Sequence, residues 1–320
     1  LRTASRTDLA TEAAPSKGTD KPRSDSEAES RATASPDLET QSPATAKPGP
    51  DRLALASGGP FELPAPYLAF SRPFAEGLEQ RGSSFYPYGT TGGGEYLLHH
   101  GVDIGNPMGT IVRAVGDGEV VFAGTDAEGP AWGARDERYP EGFYGRLVVI
   151  RHAEAVEGRP LYSLYGHLSR LLVQRRQHVK AGQAIAAVGS AGIALGPHLH
   201  LEFRSAAQDY MATLNPELYV ANLDGLGLIV GRLTDPAGKP LAKIDIGLYS
   251  LGDDGRETWI RQTSSYPSER INSSPGLGEN FVFADVEPGR YRVAAVPGGG
   301  RLTGDLTVVT GRPSAILLHR

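Results

Sequence analysis

His198 and His200 stand two apart in Gly196-Pro197-His198-Leu199-His200-Leu201-Glu202-Phe203, a run in which large apolar residues alternate with others. A β-strand turns successive side chains to opposite faces, so the two imidazoles share one face while Leu199 and Leu201 point the other way, toward a core. Paired imidazoles suit a metal ion or proton transfer better than they suit packing. Upstream, His99 and Asp103 are four apart with Gly101 between them. On extended backbone they too face one way, with Gly101 leaving room beside an ion and Val102 facing the core. His100 has the wrong parity relative to Asp103, which makes His99 the better ligand. Two imidazole nitrogens and one carboxylate oxygen can then converge, from His99, Asp103 and one of the late pair. Three protein ligands with an open fourth position are what a catalytic zinc needs.

Spacing leaves open which of His198 and His200 holds the metal. The other stays close to the open position, within reach of the attacking water or the reacting group. His167, in Leu164-Tyr165-Gly166-His167-Leu168-Ser169, offers a further imidazole. Two flanking imidazoles that accept and return a proton beside a zinc-activated water amount to metal-assisted hydrolysis of an amide. A lone H-x-H on a strand is more often a surface or packing pair; it is the combination with His99, Asp103 and His167 that favours the metal.

The elements that must carry these residues are strands. From His99 to about Phe203, short runs recur between turn signals: Val102-Asp103-Ile104, 110–114, 118–123, 146–151, 161–167, 183–188 and 198–204. The fold class is all-β, with an antiparallel sheet. A long connection, 125–145, carries Trp132, Tyr139, Phe143 and Tyr144 and is placed at the rim of a groove. Residues 61–96 read as an irregular aromatic lead-in packed on the domain that follows. Residues 1–60 hold no aromatic, Val, Ile or Met and read as a disordered Pro/Ser/Thr/Ala-rich linker. From about 225, seven further strands are expected, at 227–233, 243–250, 258–263, 280–284, 290–296, 305–310 and 314–319, forming a β-sandwich without catalytic residues. The expected division is therefore 1–60, 61–224 and 225–320. His100 is read as solvent-facing or at the groove edge, His152 as near the site or exposed, and His178 as lying in a turn.

The 320 residues are 39 % hydrophobic and 22 % charged, with net charge -5. The mixed charges exclude a basic nucleic-acid surface. The absence of cysteine excludes disulfides and thiolate metal sites, so any metal must use imidazole and carboxylate. No apolar run is long enough to span a bilayer. The sequence begins at Leu1, which leaves open a removed signal peptide or membrane anchor ahead of it, the signal peptide being the expectation.

Taken together, His99-x-Gly101-x-Asp103, Gly109-Thr110, Gly116-Asp117-Gly118, Tyr165-x-His167-Leu168-Ser169, Ala181-Gly182-Gln183, Gly189-Ser190-x-Gly192 and Gly196-Pro197-His198-Leu199-His200 resemble the lysostaphin-type (LytM-like) zinc metallopeptidases over about residues 86–204. The resemblance implies one zinc ion on His99, Asp103 and His200, with His167 and His198 as the catalytic pair. It implies that Tyr86, in Tyr86-Pro87-x-Gly89, aims at the tetrahedral intermediate, the alternative being a core aromatic. It further implies an endopeptidase acting on peptide stems or cross-bridges of bacterial peptidoglycan, outside the cytoplasmic membrane or in the cell envelope. A monomer is expected. Two alternatives are a catalytically silent regulator of other cell-wall hydrolases, which the intact ligand set argues against, and an endopeptidase of Gly-rich proteins. Separately, Asn280-Phe281-Val282-Phe283-Ala284-Asp285-Val286-x-Pro288-Gly289-x-Tyr291 resembles carboxypeptidase regulatory-like (transthyretin-like) sandwich modules, which implies a structural or adhesion role.

Overall fold

A computed structural model describes residues 59–320 apart from 64, 129–131, 134–141, 208, 268–270 and 299. All but the last two residues of the expected linker, and much of the 125–145 connection, lie outside the described residues. The described residues hold strands and three short 3-10 turns but no α-helix. None of their helices is long and apolar enough to cross a membrane.

The chain opens with β1 (Gly59–Pro60). One sheet is then built from β2 (Val102–Gly105), β3 (Ile111–Arg113), β4 (Gly118–Thr125), β5 (Arg146–Val156), β6 (Arg159–Leu171), β7 (His178–Val179), β8 (Ala184–Val188), β9 (His198–Arg204) and β10 (Thr213–Leu214). Its order is β10-β9-β6-β5-β4-β7, with β2 also beside β9 and β8 joining β3 to β6. Every pairing in it is antiparallel. His178 thus lies in a two-residue strand, not a turn. The run Leu147-Val148-Val149-Ile150 at the centre of the sheet is apolar without alternation because both faces are covered. Val148 and Ile150 enter the main core, while Leu147 and Val149 pack with Trp132, Tyr144 and Leu164. Trp132, from the long connection, is buried there against Phe122. His152 is buried, contrary to expectation, and lies between the Asp117 carbonyl and Ser163 Oγ, each at 2.8 Å. Its ring also meets Phe70 and Phe203. Strand parity places it on a packed face, away from the metal candidates.

The second half contributes β11 (Gly227–Thr234), β12 (Asp245–Leu251), β13 (Glu257–Ser264), β14 (Phe281–Val286), β15 (Gly289–Ala295), β16 (Leu302–Val308) and β17 (Pro313–His319), seven strands as expected. They form two four-stranded sheets, β1-β17-β11-β14 and β13-β12-β15-β16. The eighth strand, β1, comes from upstream of the first sheet and pairs with Ser314 and Ala315. The lead-in therefore starts on the sandwich and crosses to the first sheet, where the Phe70 amide donates to the Tyr219 carbonyl.

The β1-β17-β11-β14 sheet is apolar on both faces. Ile229 and Leu233 point into the sandwich interior. Leu228, Val230, Val282, Ala284 and Ala315 point the other way, into a core shared with Phe70, Leu199, Leu201, Phe203 and Tyr219. The 265–280 connection adds polar ties to the same seam. Asn215 Nδ2 donates to Tyr266 Oη (2.8 Å), Tyr219 Oη meets Ser274 Oγ (3.0 Å), and Asn272 Nδ2 donates to the Met211 and Thr213 carbonyls.

Candidate metal centre

β9 is flanked by β2 on one side and β6 on the other. The register sets Asp103 opposite His200, Gly105 opposite His198, and Gly166 opposite His200 across the second seam. Leu199, Leu201 and Phe203 turn into the core at 0–1 % exposure, which turns His198, His200, Glu202 and Arg204 together to the other face. A Cβ at Gly101 would lie 2.5 Å from the Leu201 carbonyl oxygen and 2.8 Å from His200 Nε2. The room that Gly101 leaves is thus filled by the His200 imidazole.

His167 arrives by a different device. Its neighbour Gly166 is the residue in register with His200, so simple alternation would send His167 to the opposite face. Its backbone is left-handed, at φ 60°, next to an irregularity in the β6 pairing. Its amide donates to the Tyr144 carbonyl at 2.9 Å, and its ring stands 4.8 Å from that of His198 and 5.6 Å from that of His200, centroid to centroid. A non-glycine residue held left-handed costs roughly 1–2 kcal/mol, and such strain clusters at functional sites.

His99 Nε2, Asp103 Oδ1 and His200 Nδ1 converge, at 3.1 Å (His99–Asp103), 2.8 Å (His200–Asp103) and 3.3 Å (His99–His200). Among the described residues they form the His/Asp/Glu cluster able to hold a metal ion. Tetrahedral zinc, with bonds of about 2.0–2.1 Å, separates its ligands by roughly 3.3 Å, so the spacing fits. The far side of each ring settles its tautomer. His99 Nδ1 lies 2.6 Å from the Tyr86 carbonyl, which can only accept, so the proton is there and Nε2 offers a lone pair. His200 Nε2 lies 3.1 Å from Glu202 Oε1, so in the neutral ring the proton sits on Nε2, facing that carboxylate, and Nδ1 offers a lone pair. Without a metal, a proton on His200 Nδ1 can bridge to Asp103 Oδ1; with that proton released, two imidazole nitrogens and a carboxylate oxygen face one another within 3.3 Å. That donor set and arrangement suit zinc.

The electrostatics agree. Burial opposes charge on Asp103, but His99 and His200 outweigh it and hold its carboxyl well below the ordinary range. Burial also opposes charge on His200, yet its bonds to Asp103 and Glu202 raise it to about 9 in the metal-free protein. Glu202 and Arg204 are wholly buried. Arg204 Nε donates to Glu202 Oε2 at 2.6 Å, Arg204 Nη2 donates to Tyr144 Oη at 2.8 Å, and Tyr144 Oη donates to Glu202 Oε1. A metal-ligating histidine backed by a carboxylate is a recurrent arrangement that fixes ring orientation and raises basicity. The four polar residues at positions 198, 200, 202 and 204 share one parity, a signal that reaches beyond the two histidines.

The remaining expected residues take distinct places. His167 Nδ1 and His198 Nδ1 donate to the Ala191 and Gly196 carbonyls, each at 2.8 Å, so each Nε2 is left as an acceptor. His198 Nε2 lies 3.6 Å from Asp103 Oδ1. Burial lowers both, His167 to about 3. Tyr86 reaches the site through its carbonyl and its ring, which stacks on His99 at 3.9 Å and 2°. Its hydroxyl donates to the Leu97 carbonyl. His100 is buried, not solvent-facing: its ring lies 4.0 Å from that of Tyr210, centroid to centroid, and meets Thr213 Oγ1 at 3.1 Å.

Residues 97–212 match the family model for peptidase family M23. The chain is 35 % identical over 177 residues to the DD-carboxypeptidase/endopeptidase Mpg of Neisseria meningitidis, covering 54 % of this chain and 34 % of the relative. It is 34 % identical over 137 residues to the uncharacterized lipoprotein YgeR of Escherichia coli, covering 42 % and 45 %. It is 34 % identical over 109 residues to the peptidoglycan DD-endopeptidase ShyB of Vibrio cholerae, covering 34 % and 21 %. The match thus spans about a third of the length of the Neisseria relative.

Proposed function

We propose that this chain, whose residues 97–212 match the model of peptidase family M23, is a zinc-dependent endopeptidase hydrolysing peptide bonds of bacterial peptidoglycan in the cell envelope or outside the cell. The observation that carries the chemistry is the convergence of His99 Nε2, Asp103 Oδ1 and His200 Nδ1, each ring having an acceptor for a proton on its far nitrogen. The substrate and the location are supported by the similarity to the Vibrio peptidoglycan endopeptidase and the Escherichia lipoprotein.

His99, Asp103 and His200 would hold a zinc ion, which would supply Lewis acidity toward the attacking water and the scissile carbonyl. The protein does the rest. Asp103 and His198 are the partly exposed members of the cluster, with side chains 20 % and 16 % exposed, and so define the side from which substrate enters. His167 and His198 are neutral because burial disfavours their cationic forms, and each presents an unprotonated Nε2. One takes the proton from the attacking water and the other steadies charge on the carbonyl oxygen; the proton is then returned to the leaving amine. Tyr86 holds His99 in place from above and behind, a positioning role.

The test is to purify the chain, measure bound metal, and digest sacculi with and without a chelator, reading the released fragments by mass. One equivalent of zinc and chelator-sensitive release of peptide-cleaved fragments are expected. Intact sacculi with zinc-loaded protein would reject the assignment.

A further inference from the structure

The candidate metal centre does not open onto peptidase residues alone. A groove of about 630 Å³ reaches Asp103 and Gly105 from one side. One wall is the lead-in around Arg81–Ser84, which lies along the free side of β2 and is tied there by the Ser83 amide donating to the Asp103 carbonyl at 2.8 Å. The facing wall is sandwich: Ile260 and Arg261 of β13, with Tyr291 of β15. A second groove, of about 860 Å³, continues from Ser84, Ile260 and Arg261 along the length of β13 toward Gly92–Gly94. Of the three candidate ligands, Asp103 has the most exposed side chain, at 20 % against 3 % and 4 % for His99 and His200.

We infer that the C-terminal sandwich is one wall of the substrate groove and that β13 binds the extended peptide flanking the scissile bond, a proposal that rests on the hydrolase reading above. Three observations carry it. The first groove is lined by Asp103, a candidate ligand, and by Gly105, which stands opposite His198. Its lips expose large apolar side chains, Trp259 (58 %) and Ile260 (42 %) on β13 and Phe85 (61 %) on the lead-in. Clustered exposure of that kind marks a binding surface. Finally, β13 is the edge strand of its sheet, so its outer backbone amides and carbonyls are available to an added strand, and an extended peptide is the occupant that such an edge accepts. Arg261 is already fixed at this wall, its Nη2 donating to the Ala284 carbonyl and its guanidinium 5.8 Å from the centre of the Phe283 ring. A side chain held in advance loses less freedom when a peptide binds. Arg81, exposed on the opposite lip, offers a second cation for substrate carboxylates.

The experiment uses the full, zinc-loaded chain carrying His167→Ala to prevent turnover. Cross-linked stem-peptide dimers released from bacterial sacculi are titrated by calorimetry. Ile260→Asp and Arg81→Glu are introduced separately into this background. Both side chains are exposed, so thermal melts should match the parent. Each substitution is expected to weaken binding about tenfold or more. A dipeptide spanning only the scissile bond should inhibit wild type and both single variants alike. Dimers that bind parent and variants equally would overturn the proposal, as would dimers that do not bind the parent. Neither result would bear on the hydrolase reading, which stands or falls on cleavage of sacculi by the wild type.

Discussion

Glu202 Oε1 lies 3.1 Å from His200 Nε2, with both residues shut off from solvent. The carboxylate fixes the ring so that Nδ1 faces His99 and Asp103, while Arg204 balances the buried charge. Glu202→Gln should therefore lower zinc affinity about 10- to 100-fold, measured by competition with a chromophoric chelator. It should also destabilise the fold, because Arg204 is left as a buried cation without its counter-ion. The two effects separate in the double variant Glu202→Gln with Arg204→Met. Stability should recover there and zinc affinity should not. Recovery of both would assign Glu202 to packing alone.

His167 makes a different prediction, from its backbone. At φ 60° a glycine is unstrained and an alanine is not. His167→Gly should be more stable than His167→Ala by about 1 kcal/mol in denaturant unfolding. Both should retain zinc, and both should lose cleavage by about 100- to 10,000-fold. Loss of zinc in either variant would place His167 among the ligands.

Much of this site was legible from strand parity. His198 and His200 share a face because a period of two admits no other arrangement on extended backbone, whereas His99 lies ahead of β2 and reaches Asp103 across a bend at residues 100 and 101. The seven sandwich strands were legible for a similar reason, each short apolar run being closed by turn residues. His167 was not legible that way, since a left-handed residue breaks alternation and nothing in Tyr165-Gly166-His167 announces it. Glu202 and Arg204 did share the parity of the histidines, but only burial shows that the pair is sealed behind the site. The union of the two halves was hidden for a further reason. Leu228-Ile229-Val230 reads as a strand covered on both faces, and an apolar run does not say what covers it.

The seam between the halves contains a titratable group remote from the metal candidates. Glu279 is fully buried, both its oxygens accepting from the Ser274 amide at 2.9 and 3.0 Å. Burial raises its carboxyl from 4.5 to about 8. The folded state then binds more protons than the unfolded chain between those values. Its contribution is fully present below about 4.5 and is lost as pH rises through about 8. The melting temperature of metal-free wild type should accordingly fall across that window more steeply than that of Glu279→Gln. Parallel curves would mean that the carboxyl is ionised in the fold.

The last prediction concerns where the chain can be cut. Turn signals near 224 and 225 suggest two domains in series, and domains in series usually meet through modest polar contacts. Here Leu228, Val230, Val282 and Ala284 belong to the same core as Phe203 and Tyr219, and Tyr266 packs edge-on against Tyr88. β1, ahead of the first sheet, is also hydrogen-bonded into the second half, so removing 225–320 strips a strand partner from the lead-in as well. The full chain should therefore unfold in a single calorimetric transition, with the calorimetric and van't Hoff enthalpies equal. A chain ending at 224 should melt at a markedly lower temperature or aggregate, because it exposes that apolar face to water. Truncation would also remove Ile260 and Arg261 from the groove, so any residual cleavage of sacculi should show weakened substrate binding. A truncated chain that melts at the wild-type temperature would show that the two halves are energetically independent despite their common core.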